Sequence, residues 1–373
     1  MSDDVLSALR DLHSRGLSEE ETARALLDLT LQAAPPEVAD AVRMCAIPAW
    51  FNARLLALLS DKDEGEAVAL LEQVAAFYFV MPCDESGYVY DRSTRARLLD
   101  WWREPKCRQR FAALNDRLAQ HYLALVRELS PRLSSPDYLD ALVILKAEHS
   151  NIDVSHAWAV DKGDWELARD FAFILADYFR RRGLTDNWIA WIEVGLEACK
   201  RLGDAEGSAR MQCGLGVAYR NLPGGDRADN LKKAIACYHE ALRIYTFETR
   251  PFDYAMIQYN LGNTYADLPT EDQAMDLERA IACYCEALRV YTPEATPVQY
   301  EMIAFSLGNA YRRLATGDRV DDLRKTRVIR QTTITWLHLS DLHFRESCSY
   351  DEQIILKALL LDVPECIKKK NGL

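Results

Sequence analysis

Long apolar runs are what this sequence most clearly lacks. No stretch nears the roughly 18 consecutive apolar residues of a membrane-spanning helix, and the opening Met1–Gly16 has no signal-peptide core. A cytoplasmic chain that avoids membranes is therefore expected. Basic excess is also missing: 45 Lys and Arg stand against 57 Asp and Glu, a formal charge of −12. Phosphate backbones are bound by basic footprints, so no nucleic-acid partner is expected. Ten cysteines are present but none forms a CxxC, and no Cys/His group has zinc spacing. Cys283 and Cys285 are two apart on a predicted helix and point to different faces. Reduced, buried thiols are the expectation, with no cofactor. The phosphate-loop pattern G-x-x-x-x-G-K-[ST] is absent as well.

What is present is a globular composition, 49% hydrophobic and 27% charged, over 373 residues, enough for two or three domains. Within it lies a repeat. Leu215-Gly216-Val217-Ala218-Tyr219 recurs as Leu261-Gly262-Asn263-Thr264-Tyr265 and as Leu307-Gly308-Asn309-Ala310-Tyr311, each 46 residues on. A second block keeps the same period, Ala234-Ile235-Ala236-Cys237-Tyr238 returning as Ala280-Ile281-Ala282-Cys283-Tyr284. One fixed period in two blocks is the signature of a helical solenoid. Leu261 and Tyr265 share a helical face, as do Ala280, Tyr284 and Ala287, and the small Gly and Ala let two helices interdigitate as a hairpin.

The pattern L-G-x-x-Y followed by A-x-x-x-Y-x-x-A resembles the tetratricopeptide repeat, whose period is about 34 residues. Here both inter-helix turns are longer by about six residues each, and they recur too: Pro251 and Pro297, Tyr254 and Tyr300, Asp272 and Asp318 are 46 apart. Longer variants of this type resemble those of bacterial signalling and defence proteins. In that family the first helix of each repeat lines a concave groove for a protein or peptide partner. Carried over position by position, the resemblance implies a groove face of Arg220, Asn221, Tyr259, Asn263, Asp267, Phe305, Asn309, Arg312 and Arg313.

Upstream, residues 1–35 read as N-terminal helices, and Ile152–Lys162, Trp165–Arg182 and Trp188–Leu202 as degenerate repeats in a helical array over 104–204. Trp158, Trp165, Trp188 and Trp191 sit on their apolar faces as core residues. Residues 36–103 differ. Three short helices (about 37–46, 51–59 and 64–77) precede Phe79–Cys83, an Asp84-Glu85-Ser86-Gly87 turn and Tyr88–Tyr90, and helix resumes at Arg92–Arg103. Helix-helix-hairpin-helix is winged-helix order. With Trp101-Trp102-Arg103 and the downstream array, it resembles the regulatory arm of signal-transduction ATPases with numerous domains. The would-be recognition helix holds Glu64, Glu66 and Glu72 and no Lys or Arg, so DNA binding is not expected there.

Downstream, the second-helix block should recur at 326–327, where Thr326-Arg327 stand instead. Thr333–Phe344 then resembles the opening motif of calcineurin-like metallophosphoesterases, in which Asp341 and His343 match ligands to one of two divalent metals such as Mn or Fe. The family's further ligand motifs are missing before Leu373. The expectation is that this polypeptide is not an enzyme by itself. Ile354, Ile355, Ala358, Leu359, Leu361 and Val363 alternatively form an amphipathic helix capping the solenoid.

The expected architecture is thus mainly α. A winged-helix-like segment over 36–103 precedes a tetratricopeptide-like α-α superhelix over 205–325, two full units and half of a third, and a short β-α stub covers 326–373. The expected function is a non-enzymatic interaction, sensor or scaffold module. The alternatives are the regulatory part of a phosphoesterase and a winged-helix transcription regulator.

Overall fold

A computed structural model describes residues 18–83 and 87–316, and among them finds fifteen helices and one two-stranded sheet. They form two compact units divided between Tyr178 and Phe179.

The first unit opens with α1 (Glu19–Ala33), whose start is fixed by a capping box: Ser18 Oγ accepts from Glu21 N while Glu21 Oε2 accepts from Ser18 N. Three short helices follow, α2 (Pro36–Met44), α3 (Ala53–Ser60) and α4 (Glu64–Ala75). The antiparallel hairpin β1 (Val80–Cys83) and β2 (Gly87–Tyr90) comes next, as its alternating β-rich residues predict. Phe51 adds a bridge to Tyr88, exchanging hydrogen bonds of 2.8 and 2.7 Å. Helix α5 (Arg92–Trp102) locks the link between α2 and α3. Its Arg95 guanidinium donates to the carbonyls of Ala46, Ile47 and Pro48, and Trp102 Nε1 donates to Arg43 O.

Two 25-residue helices, α6 (Arg108–Arg132) and α7 (Tyr138–Lys162), run antiparallel, since Asp116 meets Trp158 and Lys162 while Tyr122 meets Glu148 and Asn151. Helix α7 begins well before the expected Ile152, because Leu139, Val143 and Ile144 are exposed beside buried Ala141 and Leu145, which blurs the apolar period of its first half. The expected single helix Trp165–Arg182 is two, α8 (Trp165–Ile174) and α9 (Ala176–Arg182). Ser130 Oγ donates to Ile174 O and occupies the carbonyl that would carry the helical ladder onward. At Gly163-Asp164 a left-handed glycine closes α7 and the aspartate caps α8 through Leu167 N.

The second unit is the helical repeat. Helix α10 (Thr185–Leu202) precedes the pairs α11 (Ala205–Asn221) with α12 (Arg227–Leu242) and α13 (Pro251–Ala266) with α14 (Gln273–Leu288), followed by α15 (Pro297–Thr316). Trp188 and Trp191 are buried in α10, as expected of core residues, whereas Trp158 and Trp165 of the first unit are half-buried. Each pair is antiparallel, Tyr254 meeting Glu286 while Gly262 meets Ala280. The core is stacked. Leu277, Ala280, Ile281, Tyr284 and Ala287 of α14 are buried between Ala255 of α13 and Ile303, Leu307, Ala310 and Tyr311 of α15. One repeat earlier, Ala234, Tyr238 and Ala241 of α12 lie between Ala209 and Cys213 of α11 and Ile257 and Leu261 of α13.

The glycines of the repeat explain the close packing. A Cβ on Gly216 would lie 2.6 Å from the Tyr238 ring, and one on Gly262 would lie 2.7 Å from the Tyr284 ring. The long turns are built the same way twice. Asp226 and Asp272 cap the second helices through Asp229 N and Met275 N. Buried Asn230 donates to Gly224 O, and its 46-residue equivalent Asp276 accepts from Thr270 Oγ1. In the turn after the second helix, Tyr245 donates to Glu206 O and Tyr291 to Phe252 O, both spanning 39 residues.

Candidate functional site

First helices of successive repeats touch directly. Arg220 of α11 pairs with Asp267 just past α13 at 3.0 Å, and Arg313 of α15 donates to Ala266 O of α13 at 2.8 Å, each across 47 residues. The helices α11, α13 and α15 therefore lie side by side, and a face common to them is a continuous surface.

The positions on that face follow from helix geometry. Along α13 and its C-cap, residues 252, 256, 259, 263 and 267 recur at intervals of three and four, which keeps them on one side. Their neighbours Ala255, Ile257 and Leu261 turn inward and are buried. The 46-residue shift places Val298, Met302, Phe305, Asn309 and Arg313 beside them on α15, and Glu206, Arg210, Cys213, Val217 and Asn221 on α11. Of the residues expected from the repeat, Asn221, Tyr259, Asn263, Asp267, Phe305, Asn309 and Arg313 hold these positions, Arg220 and Arg312 each stand one residue before the last of them, and their surroundings differ.

Asn263 Oδ1 accepts from the buried Tyr284 hydroxyl at 2.8 Å, so its carboxamide braces the hairpin as well as facing outward. The Tyr259 ring is half-buried against Tyr284, with centroids 6.1 Å apart. Arg220 and Asp267 bond to each other, and Arg227 lies 4.0 Å from the same carboxylate. Arg312 is exposed and donates to Asn309 Oδ1 at 3.2 Å. Asn221 is exposed at the end of α11. Phe305 is 58% exposed.

Sequence reasoning passed over the apolar half of the face. Phe252 is 58% exposed, Met256 40%, Val298 63% and Met302 50%, side chains that an isolated soluble helix would turn inward. Phe252 and Val298, and Met256 and Met302, are 46-residue equivalents, so the exposure is periodic and belongs to the repeat. Their spacing with Tyr259 and Phe305 was the available signal. Repeat one carries Glu206, Arg210 and Cys213 at these positions, so the apolar stripe belongs to α13 and α15 alone.

The face thus has two ends. Large apolar side chains occupy the N-terminal halves of α13 and α15. Toward the C-terminal ends, Arg220 and Arg227 hold the Asp267 carboxylate, Arg313 donates to Ala266 O and Arg312 to Asn309 Oδ1. Elsewhere in this unit a shallow cleft of about 360 Å³ is lined by Lys232, Ile235, Tyr265, Asp272 and Arg279, together with Asp276, which is engaged by Thr270 and Arg279.

The expectation of buried thiols is met in part, since Cys83, Cys283 and Cys285 are only half-buried and Cys348 and Cys366 lie outside the described residues. Cys45, Cys107, Cys213 and Cys237 are buried, and burial pushes the Cys213 thiol up to about 12 and Cys237 to about 11, far from thiolate reactivity. Among the described residues no group of three or more His, Cys, Asp or Glu could hold a metal ion, and no helix is long and apolar enough to cross a membrane. Asp341 and His343, with the rest of the expected β-α stub, lie outside the described residues.

The class defined by this fold and face is a mostly helical protein with a stacked helical repeat. No protein-family profile matches the chain, and no curated protein does. Among solved structures, a signal transduction ATPase with numerous domains carrying a tetratricopeptide repeat sensor, from Pyrococcus horikoshii, matches 91% of this chain at 13% identity and a TM-score of 0.37. The chain spans 66% of that protein, a little under two thirds of its length. The likeness is too loose to transfer anything from that protein to this one.

Proposed function

We propose that this chain is a non-enzymatic interaction or sensor module of a signalling or defence system, and that it engages a protein partner on the shared face of α11, α13 and α15. The observation that carries the reading is the periodic exposure of Phe252, Met256, Val298, Met302 and Phe305 on adjacent helices. Exposed apolar surface that repeats with the fold costs solubility unless something covers it. The reading places the protein in the cytoplasm and takes the repeat as tetratricopeptide-like.

The segment from α2 to α5 is read as winged-helix-like, supported by the helix order, the hairpin and the Phe51–Tyr88 bridge. Its α4 surface carries Glu64, Glu66, Val68, Ala69, Glu72 and Gln73, all exposed, and no basic side chain. Such a surface repels phosphates, which favours a protein contact over DNA for this segment too.

The test is comparative recovery of partners from the source cells with the full chain and with Met256→Asp/Phe305→Asp. Loss of specific partners from the variant, at unchanged melting temperature, is the expected result. Identical partner sets for both proteins would sink the reading.

A further inference from the structure

The two junctions of the stacked repeat differ in charge at equivalent places. Between α11 and α13, six charged residues stand in two clusters. At the N-terminal ends, Arg250 pairs with Glu206 of α11 and with Asp253 of α13, the latter at 2.8 Å, and its guanidinium lies 5.5 Å from the centre of the Tyr245 ring. At the C-terminal ends, Arg220 pairs with Asp267 at 3.0 Å, Arg227 stands 4.0 Å from the same carboxylate, and Arg227 also donates to Arg220 O. One repeat later the same six positions hold Phe252, Thr296, Gln299, Ala266, Arg313 and Gln273. Five of these are uncharged, and the sixth, Arg313, donates to Ala266 O. The tyrosine bonds, by contrast, repeat: Tyr245 donates to Glu206 O and Tyr291 to Phe252 O.

We infer that the two clusters form an ionic clamp that fixes the angle between α11 and α13, so that ionic strength tunes the pitch between repeats one and two. The inference stands apart from the binding role proposed above.

An exposed ion pair by itself contributes little. Placement gives these pairs their effect. Glu206 and Arg220 are fourteen residues apart on α11, about 21 Å along its axis. Ties at both ends of a rod oppose rotation about its middle, which a single tie would leave free. A tilt of about 10° carries each end about 2 Å sideways, enough to part a hydrogen-bonded pair. The apolar core of this junction, with Cys213 of α11 and Ile257 and Leu261 of α13, lies between the ties, where the same tilt moves side chains least. All six charged side chains are partly exposed, so salt reaches them. The screening length falls from about 30 Å at 0.01 M salt to about 3 Å at 1 M, which is the scale of the pairs themselves. Opening the clamp shifts Arg210, Val217 and Asn221 of α11 relative to the apolar stripe on α13, and leaves the packing of Gly262 on Tyr284 within repeat two untouched.

Pulsed electron spin resonance on the full-length chain tests this, with nitroxides carried on non-canonical residues so that the native cysteines stay unlabelled. One pair of labels replaces Ala236 and Ala282, exposed equivalents on α12 and α14, and reads the distance from repeat to repeat. A second pair, at Met256 and Ala282, reads the hairpin within repeat two. The 236–282 distance should be narrowly distributed at about 0.01 M NaCl and should shift by about 2 Å at about 1 M, with the 256–282 distance unmoved. Glu206→Gln/Asp267→Asn should give the high-salt distribution already at low salt and respond no further.

A 236–282 distance indifferent to salt in the parent would overturn the inference, and that measurement needs no charge variant. So would a Glu206→Gln/Asp267→Asn chain that still responds as the parent does. Equal shifts in both label pairs would assign the change to a general loosening of the fold, and would overturn the clamp as well.

Discussion

At Gly262 a methyl group would sit 2.7 Å from the Tyr284 ring and 3.1 Å from the Ala280 carbonyl oxygen. Helix propensity favours alanine over glycine by about 1 kcal/mol, whereas overpacking a filled core costs about 1–3 kcal/mol. The Tyr284 ring is buried and pinned by its bond to Asn263, so it cannot swing aside and the overpacking cost should prevail. Gly262→Ala is expected to lower the urea midpoint of the repeat. Gly214→Ala is its control: the added Cβ meets only Ile192 Cδ1 at 3.4 Å and Trp188 at 3.9 Å, and stability should rise by about 0.5–1 kcal/mol. Tyr284 supports a second prediction. Asn263→Val orphans a buried hydroxyl and should cost about 1–3 kcal/mol, most of it recovered when Tyr284→Phe is added. Repeat one is a natural version of the single change, for Val217 stands where repeat two has Asn263. There the Tyr238 hydroxyl is buried without a well-formed bond, and the neighbouring Thr264 hydroxyl is committed to Asn260 O.

Among elements, the link between α2 and α3 depends most on a distant residue. Asn151 of α7 accepts from Ala49 N and Trp50 N at 2.6 and 3.3 Å, and donates to Trp50 O and to the Tyr122 hydroxyl at 3.1 and 2.9 Å. Tyr122 in turn donates to Glu148. One fully buried carboxamide thus ties the link between α2 and α3 to the α6–α7 pair. Asn151→Ala leaves several buried backbone groups unpaired and should destabilise the first unit by about 3 kcal/mol or more. Denaturant titration should show that loss as a lowered midpoint, with the transition of the second unit unmoved. A midpoint within experimental error of the parent would show that the network contributes little. The long turns of the repeat need no such outside help, because Asn230 and Asp276 close them from within.

For the molecule as a whole, acid is the condition that should reveal a weak point. Burial holds the His156 imidazole at about 4, against 6.5 for an unperturbed histidine. Between those values the unfolded chain binds a proton that the folded chain does not, so stability falls as the pH drops through that window. The full loss is roughly 3 kcal/mol by pH 4. His121, also lowered by burial, adds in the same direction. His156→Gln should flatten the dependence of the urea midpoint between pH 7 and pH 4. An unchanged slope would place the acid sensitivity elsewhere.

The repeat was legible in the sequence because its spacing is set by local chemistry. Small residues must stand where helices meet, and aspartates and prolines must stand where they begin, so Gly216, Gly262, Asp226, Asp272, Pro251 and Pro297 recur at one period. The hairpin was legible for the same reason. Tertiary structure alone decided where polar groups are buried. Asn151 is buried in α7 because Ala49, Trp50 and Tyr122 on other elements receive its carboxamide, and the Ser130 hydroxyl takes the Ile174 carbonyl where α8 gives way to α9. It decided the character of the face too. Arg220 and Asp267 read as two separate binding residues until adjacent helices brought them together. Phe252 and Met256 carry no mark in the sequence that sets them apart, and only the packing leaves them facing water. Periodicity reports which residues share a side of a helix; only the neighbouring helices determine whether that side is covered.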